Sequence, residues 1–444
     1  MNDTPLMTAR QAAHWLLCKA SEGAFVNLEL SQLLNRRVVR DLDRGLLTEL
    51  TYGCLKQQLW LDFFLQKWLT RPLSQLDLPV LVALRLGLYQ IHFMDRIPAH
   101  AAVSETVDLI KTQSPYASGL VNAVLHKALQ HTDWTVRSKK GKAGWLSVTY
   151  SHPLWMIHRW LKRFGEEATE ELLQANQETP ITFLRVNTLK ISSEEYWHSL
   201  QERQIPVRKT NVMPECFRLE GPVQLVEEDL KNGLIVIQDI GAMMISRVLN
   251  PQPNESVLDY CAAPGGKSTH LAALMQNQGL VVALELHEHR VRLIRQLAER
   301  TGVTIIQANT HDGTKPYPFS QFFDRVLLDA PCSGTGVLGR KVDARWQKSY
   351  EQLAELTHLQ QALLQQAYAS VKPGGLLLYS TCSLEWEENE RNVERFLDQE
   401  SSASLVPFSI PGHLESVVQQ GYYTILPQEF NGDGFFLALI RKKQ

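Results

Sequence analysis

Val257-Leu258-Asp259-Tyr260-Cys261-Ala262-Ala263-Pro264-Gly265-Gly266-Lys267-Ser268-Thr269 is the stretch that decides how the chain is read. An apolar strand runs into a tight loop of small residues, and a helix starts beyond it. Small residues let the backbone approach a ligand closely. The helix amino terminus offers free N–H groups and a partial positive charge to an anion. The spacing to Lys267 fits neither a G-x-G-x-x-G fingerprint nor a Walker loop. A dinucleotide or nucleoside triphosphate is thereby disfavoured, whereas the carboxylate of S-adenosylmethionine fits. Cys261, Ala262, Ala263, Pro264, Gly265, Gly266 and Lys267 are the expected cofactor cradle, with Cys261 a small packing residue beside it.

Outward from this loop, strand-like runs recur at Ser256–Tyr260, 280–286, 304–307, 324–329 and 375–380. Helical patterns alternate with them, which predicts a parallel sheet with right-handed crossovers. Glu285 lies about 20 residues after Gly265, at the end of the next strand, where an acid binds ribose hydroxyls. Asp312 follows the third strand and is placed to meet the adenine amino group, with Asn309 as its rival. Two later strands end in Asp329-Ala330-Pro331-Cys332-Ser333-Gly334-Thr335-Gly336 and Ser380-Thr381-Cys382-Ser383. The carboxyl ends of neighbouring parallel strands line the ligand crevice, so both thiols are expected to face one pocket. One thiolate adding to C6 of a pyrimidine makes C5 nucleophilic toward a methyl sulfonium, and a second thiol can help complete the elimination. A carboxylic acid near N3 offsets charge developing on the ring, and Asp329 is placed for that. Free cysteines are often mere packing residues. Two of them after matched strand ends, beside a cofactor loop, point to chemistry instead.

The composition sets bounds. The chain has 444 residues, 44% hydrophobic and 21% charged, which predicts a globular protein of two or three domains. The six cysteines form no C-x-x-C pair, so neither a disulfide framework nor a metal site is expected, and a reducing, cytoplasmic location is. No secretory signal is visible at the start. The apolar run 78–93 is broken by Arg85 and His92 and reads as a core helix, not a membrane span. The net charge of −2 conceals +5 over residues 1–145, against −7 over the rest. The amino-terminal part is thus the better place for a nucleic-acid backbone.

Four segments are expected. Residues 1–135 read as a helical bundle: Leu61, Phe64, Leu65 and Trp68, and again Val103, Val107 and Ile110, keep helical spacing. Residues 136–144, with Arg137-Ser138-Lys139-Lys140-Gly141-Lys142, read as a basic linker. Residues 145–237 read as a small α+β module: helices over 154–164 and 166–176, a strand over 181–187, a helix over 193–203, then short strands. Residues 238–444 form the α/β domain, ending in a strand led by Gly432-Asp433-Gly434.

These motifs resemble the RNA cytosine-5 methyltransferase family. The match lies in Asp259 to Lys267, Asp329 to Gly336 and Ser380 to Ser383, with Glu385 and Glu388-Asn389-Glu390 following. The resemblance implies that Cys382 is the C6 nucleophile and that Cys332 serves product release. Ile97 to Glu105 and Gly119 to Leu125 resemble a NusB-type RNA-binding domain. Tyr150-Ser151-His152-Pro153-x-Trp155 and Leu184-Arg185-Val186-Asn187 resemble the small RNA-binding module of such enzymes. The whole chain is similar to bacterial 16S ribosomal RNA cytosine-C5 methyltransferases of the RsmB type. That likeness implies a Rossmann-like catalytic domain, S-adenosylmethionine as cofactor, 16S ribosomal RNA of the small subunit as partner, no membrane, and a monomer. Gly339-Arg340-Lys341-Val342-Asp343-Ala344-Arg345-Trp346 lacks the His-Pro of the family's Arg-Arg-His-Pro-Asp-x-x-Trp.

Competing readings are methylation of another RNA such as tRNA, a DNA cytosine methyltransferase, and a non-catalytic NusB-like RNA-binding factor. In the DNA enzymes the Pro-Cys cysteine attacks, and the second cysteine here argues for RNA. Both thiols and the cofactor loop argue against a non-catalytic factor.

Overall fold

The computed structural model of the protein describes residues 6–138, 140–318, 321–412 and 417–444. It divides into two compact units. Residues 1–178 with 341–348 form the first; residues 179–340 with 349–444 form the second.

The first unit is helical. Its helices are Ala9–Ser21, Val26–Asn35, Arg44–Lys56, Gln58–Trp68, Leu78–Phe93, Ala99–Gln113, Ser118–Leu129, Gly141–Thr149 and Leu154–Ala175. The helix Ala9–Ser21 starts at a capping box of Thr8 and Gln11, which satisfies amide groups that a helix end leaves open. Leu78–Phe93 is a core helix, as its interrupting charge predicts: Arg85 forms a two-pronged ion pair with Asp62, 2.7 Å at each contact. No helix among the described residues is long and apolar enough to cross a membrane. Leu16, Leu50, Leu61, Phe64, Leu84 and Ile110 pack the centre. Gly165, with φ 81°, separates the two helices expected over 154–176.

One expectation needs correction here. The basic linker is partly helix, because Gly141 already opens the helix Gly141–Thr149; Lys139 lies outside the described residues. The stretch 145–178, expected within the α+β module, lies by its contacts in the first compact unit. It packs on the bundle, where Lys56 Nζ donates to Glu178 O and Leu59 N to Ser151 Oγ.

The segment Lys341–Lys348 completes this unit. The fully buried Arg345 donates to Asn176 O at 2.7 Å, Trp346 Nε1 donates to Leu55 O, and Val342 is buried in the core. Asp343 Oδ2 accepts from Val26 N. The family's Asp and Trp positions thus keep firm contacts despite the missing His-Pro.

The second unit holds two main sheets. Its strands are β1 Thr182–Val186, β2 Val207–Lys209, β3 Cys216–Leu219, β4 Ile235–Ile237, β5 Ser256–Tyr260, β6 Leu280–Glu285, β7 Ile306–Thr310, β8 Phe323–Asp329, β9 Val371–Thr381, β10 Ala403–Leu405, β11 Phe408–Ser409, β12 Val417–Val418, β13 Tyr422–Ile425 and β14 Phe435–Lys442. A small antiparallel sheet runs β2-β3-β1-β4 and is packed by the helix Ser193–Glu202. The large sheet runs β10-β14-β9-β8-β5-β6-β7, with β13 also on β14. From β9 to β7 it is parallel, as expected. It is mixed rather than purely parallel, because β14 returns antiparallel to β9 and carries β10 and β13. The chain runs outward from β5 through β6 to β7, then resumes on the other side of β5 with β8. Such a reversal opens a crevice at the strands' carboxyl ends.

Candidate active site

Register aligns the chemistry. β8 and β9 pair with Asp329 opposite Ser380, so the loops bearing Cys332 and Cys382 leave the sheet side by side. The two thiols come together, Sγ to Sγ 3.3 Å. Contact with Cys382 and burial push the Cys332 thiol well above its ordinary value, so it holds its proton at neutral pH. Gly336 makes the approach possible. Its N–H donates to Cys382 O at 2.9 Å, and its carbonyl accepts from Gly434 N at 2.8 Å. A Cβ there would stand 2.5 Å from Gly434 O.

Asp329 ends β8 just ahead of the Cys332 loop and is held on both oxygens. Lys267 Nζ donates to Oδ2 at 2.7 Å and Ser380 Oγ to Oδ1 at 3.0 Å. Burial lowers the Lys267 value, but the Asp329 charge more than reverses this, keeping the ammonium charged. Lys267 therefore braces Asp329 as well as closing the cofactor loop.

That loop turns at Gly265, whose φ of 101° suits glycine. The helix Gly266–Leu274 begins there without a side-chain cap, leaving its first N–H groups open to an anion. Asp259 accepts from Ser268 Oγ, and burial pushes its carboxyl up to about 7. Glu285 is buried at the end of β6. Its Oε1 accepts from Leu286 N and from Arg290, and Oε2 lies 3.2 Å from Arg290 Nη1 in an ion pair. An open helix terminus after β5 and an acid at the end of the neighbouring β6 fit the amino-acid carboxylate and the ribose of S-adenosylmethionine. Asp312 sits in the loop after β7, with Oδ1 taken up by Thr314, and Asn309 is exposed on β7. Cys261 has φ 59° and a thiol that burial pushes up to about 12, as an inert packing group requires.

Comparison with known proteins places this geometry. The "probable ribosomal RNA small subunit methyltransferase B" of Bacillus subtilis is 36% identical over 427 residues, 95% of each chain. The chain belongs to the RsmB/F methyltransferase family. The family model for 16S rRNA methyltransferase RsmB/F matches residues 246–441, that for the NusB family 7–130, and that for the RsmF/B-like ferredoxin-like domain 152–226. Ribosomal RNA small subunit methyltransferase B of Proteus mirabilis is 33% identical, over 91% of this chain and 92% of its own. Among solved structures, PH0851 superposes with a TM-score of 0.81 at 28% identity, covering 98% of this chain and 99% of its own. A methyltransferase homolog protein from Pyrococcus horikoshii does so at 0.58 and 30% identity, covering 67% and 97%. This RsmB/F chain is accordingly an S-adenosylmethionine-dependent methyltransferase.

Several groups of the RsmB/F site were given no role from sequence; Ser333, Ser380, Ser383 and Glu388 stood only within quoted motifs. Ser380 holds Asp329. Arg185 is buried and donates to Gly266 O and Thr269 Oγ1 at the start of the cofactor helix, and to Gln238. Its only signal was the Leu184-Arg185-Val186-Asn187 motif. Ser333, Ser383, Gln360 and Glu388 form a buried network behind the thiols.

Proposed function

We propose that the protein methylates C5 of a cytosine in 16S ribosomal RNA, with Cys382 adding to C6 and Cys332 assisting release. The observation that carries this reading is the 3.3 Å approach of two thiols at the ends of adjacent parallel strands. S-adenosylmethionine, when bound, supplies an electrophilic methyl group. Cys261 to Lys267, Glu285 and either Asp312 or Asn309 would hold it. Cys382 Sγ forms a bond to C6 and pushes electron density to C5, which then takes up the methyl group. Asp329, held by Lys267 and Ser380, meets the ring near N3, where with the Lys267 ammonium it offsets charge building on the base. A base then removes the C5 proton, the C5–C6 double bond re-forms, and the C6–S bond breaks. The departing Cys382 sulfur finds a protonated thiol within reach in Cys332, which can return a proton to it.

The substrate assignment rests on relatives named for the ribosomal small subunit and on the NusB-like match. The target base has to leave its stack to reach the thiols. Cys382→Ala is expected to abolish both methyl transfer and the covalent RNA adduct. Cys332→Ala is expected to accumulate an adduct that survives denaturing electrophoresis. Transfer by Cys382→Ala at the wild-type rate would sink the assignment. Assays on matched 16S, tRNA and DNA substrates decide among the nucleic acids.

A further inference from the structure

Glu388 is buried behind the thiol pair and belongs to neither cofactor loop nor ring contact. Its carboxylate is ringed by donors. Oε1 accepts from Ser333 N at 2.8 Å and from Gln360 Nε2 at 2.9 Å; Oε2 accepts from the hydroxyls of Ser333 and Ser383. Ser333 directly follows Cys332, and Ser383 directly follows Cys382. One carboxylate therefore ties together the residues next to both sulfurs. Its own position is fixed, since Tyr379 donates to Glu388 O at 2.7 Å, and Gln360 also donates to Pro331 O just ahead of Cys332. Four donors on one acid use all its lone-pair directions, an arrangement that an amide or a shorter acid cannot reproduce.

We propose that Glu388 is the positioning residue of the thiol pair: by bridging Ser333 and Ser383 it sets the Sγ–Sγ separation on which attack and release depend. This deepens the reading of Cys382 and Cys332 given above and rests on it. The charge of Glu388 also helps to keep the Cys332 proton in place.

The test uses the full-length protein and two readouts. Diamide, a thiol oxidant, takes up one thiol as a sulfenyl adduct; the second thiol displaces the reduced hydrazine and closes a disulfide. The rate of Cys332–Cys382 disulfide closure, followed by peptide mass spectrometry, reports the sulfur separation without any RNA. In Glu388→Ala it should fall at least tenfold. With transcribed 16S RNA, the turnover of Glu388→Ala should fall about a hundredfold, while KM for S-adenosylmethionine stays within twofold. Should that variant fail to fold, Ser383→Ala removes one bridge and should slow both readouts about threefold. Closure and turnover within twofold of wild type in a folded variant overturn the inference. Normal disulfide chemistry with no RNA methylation by the wild-type protein would instead count against the proposed substrate.

Discussion

Lys267 and Asp329 lie 62 residues apart and meet at 2.7 Å. Each was legible alone, one ending a glycine loop and the other ending a strand. Their pairing was not, because a motif carries no information on what crosses to it from the next strand. The same holds for Ser333 and Glu388, 55 residues apart. The thiols were legible because each sits in a contiguous motif after a strand, and parallel strands bring such ends together. Removing the charge at Asp329 leaves Lys267 half-buried and unpaired and changes the group that meets the ring. Asp329→Asn is therefore expected to lower turnover roughly a hundredfold, with KM for S-adenosylmethionine changed little. Steady-state transfer of a labelled methyl group checks this, and turnover within twofold of wild type would remove Asp329 from the mechanism.

Among the elements, β7 starts at Ile306 and not at Thr304 as the apolar pattern suggested. Thr304 is engaged elsewhere: its N–H and Oγ1 both pair with the Asn277 side chain, which ties that residue to a turn outside the ladder. Helix Gly266–Leu274 carries a titrating device unrelated to catalysis. His270 is buried with Nε2 3.1 Å from Glu215, whose other neighbour is Arg247. Burial and Arg185 lower the His270 value from 6.5 to about 4, though Glu215 opposes this. Burial raises the Glu215 carboxyl, but His270 and Arg247 reverse this and hold it below its ordinary value. Between pH 6.5 and 4 the unfolded chain binds a proton at His270 that the folded one refuses, so acid favours unfolding. Stability from this site is full above about pH 6.5 and falls by roughly 3 kcal/mol toward pH 4. Denaturant unfolding at pH 7 and 4.5 should show the loss. His270→Gln should flatten much of it; an unchanged slope in that variant would assign the acid sensitivity elsewhere.

At the scale of the whole molecule, the fold classes were legible and the grouping of segments was not. Helical spacing tells that one face of 154–164 is buried, but not that its partner is the bundle. Nothing in Lys341 to Lys348 marks it as part of the first unit, because most of its polar anchors are backbone groups, which every sequence supplies. Arg345 is the heaviest of these anchors, its guanidinium fully buried and pushed down to about 9. Arg345→Ala would strand the carbonyl of Asn176 and is expected to destabilise the helical unit by about 2–4 kcal/mol. Thermal unfolding followed by helix signal measures this, and a loss below 0.5 kcal/mol would contradict it. The segment also imposes an order in time. About 160 residues separate Glu178 from Lys341, so the bundle emerges from the ribosome long before its last piece exists. At ordinary synthesis rates that gap is roughly 10–30 s. The nascent bundle must wait unfinished, its slot for Val342 and Trp346 open, until four of the eight strands of the catalytic sheet have been made.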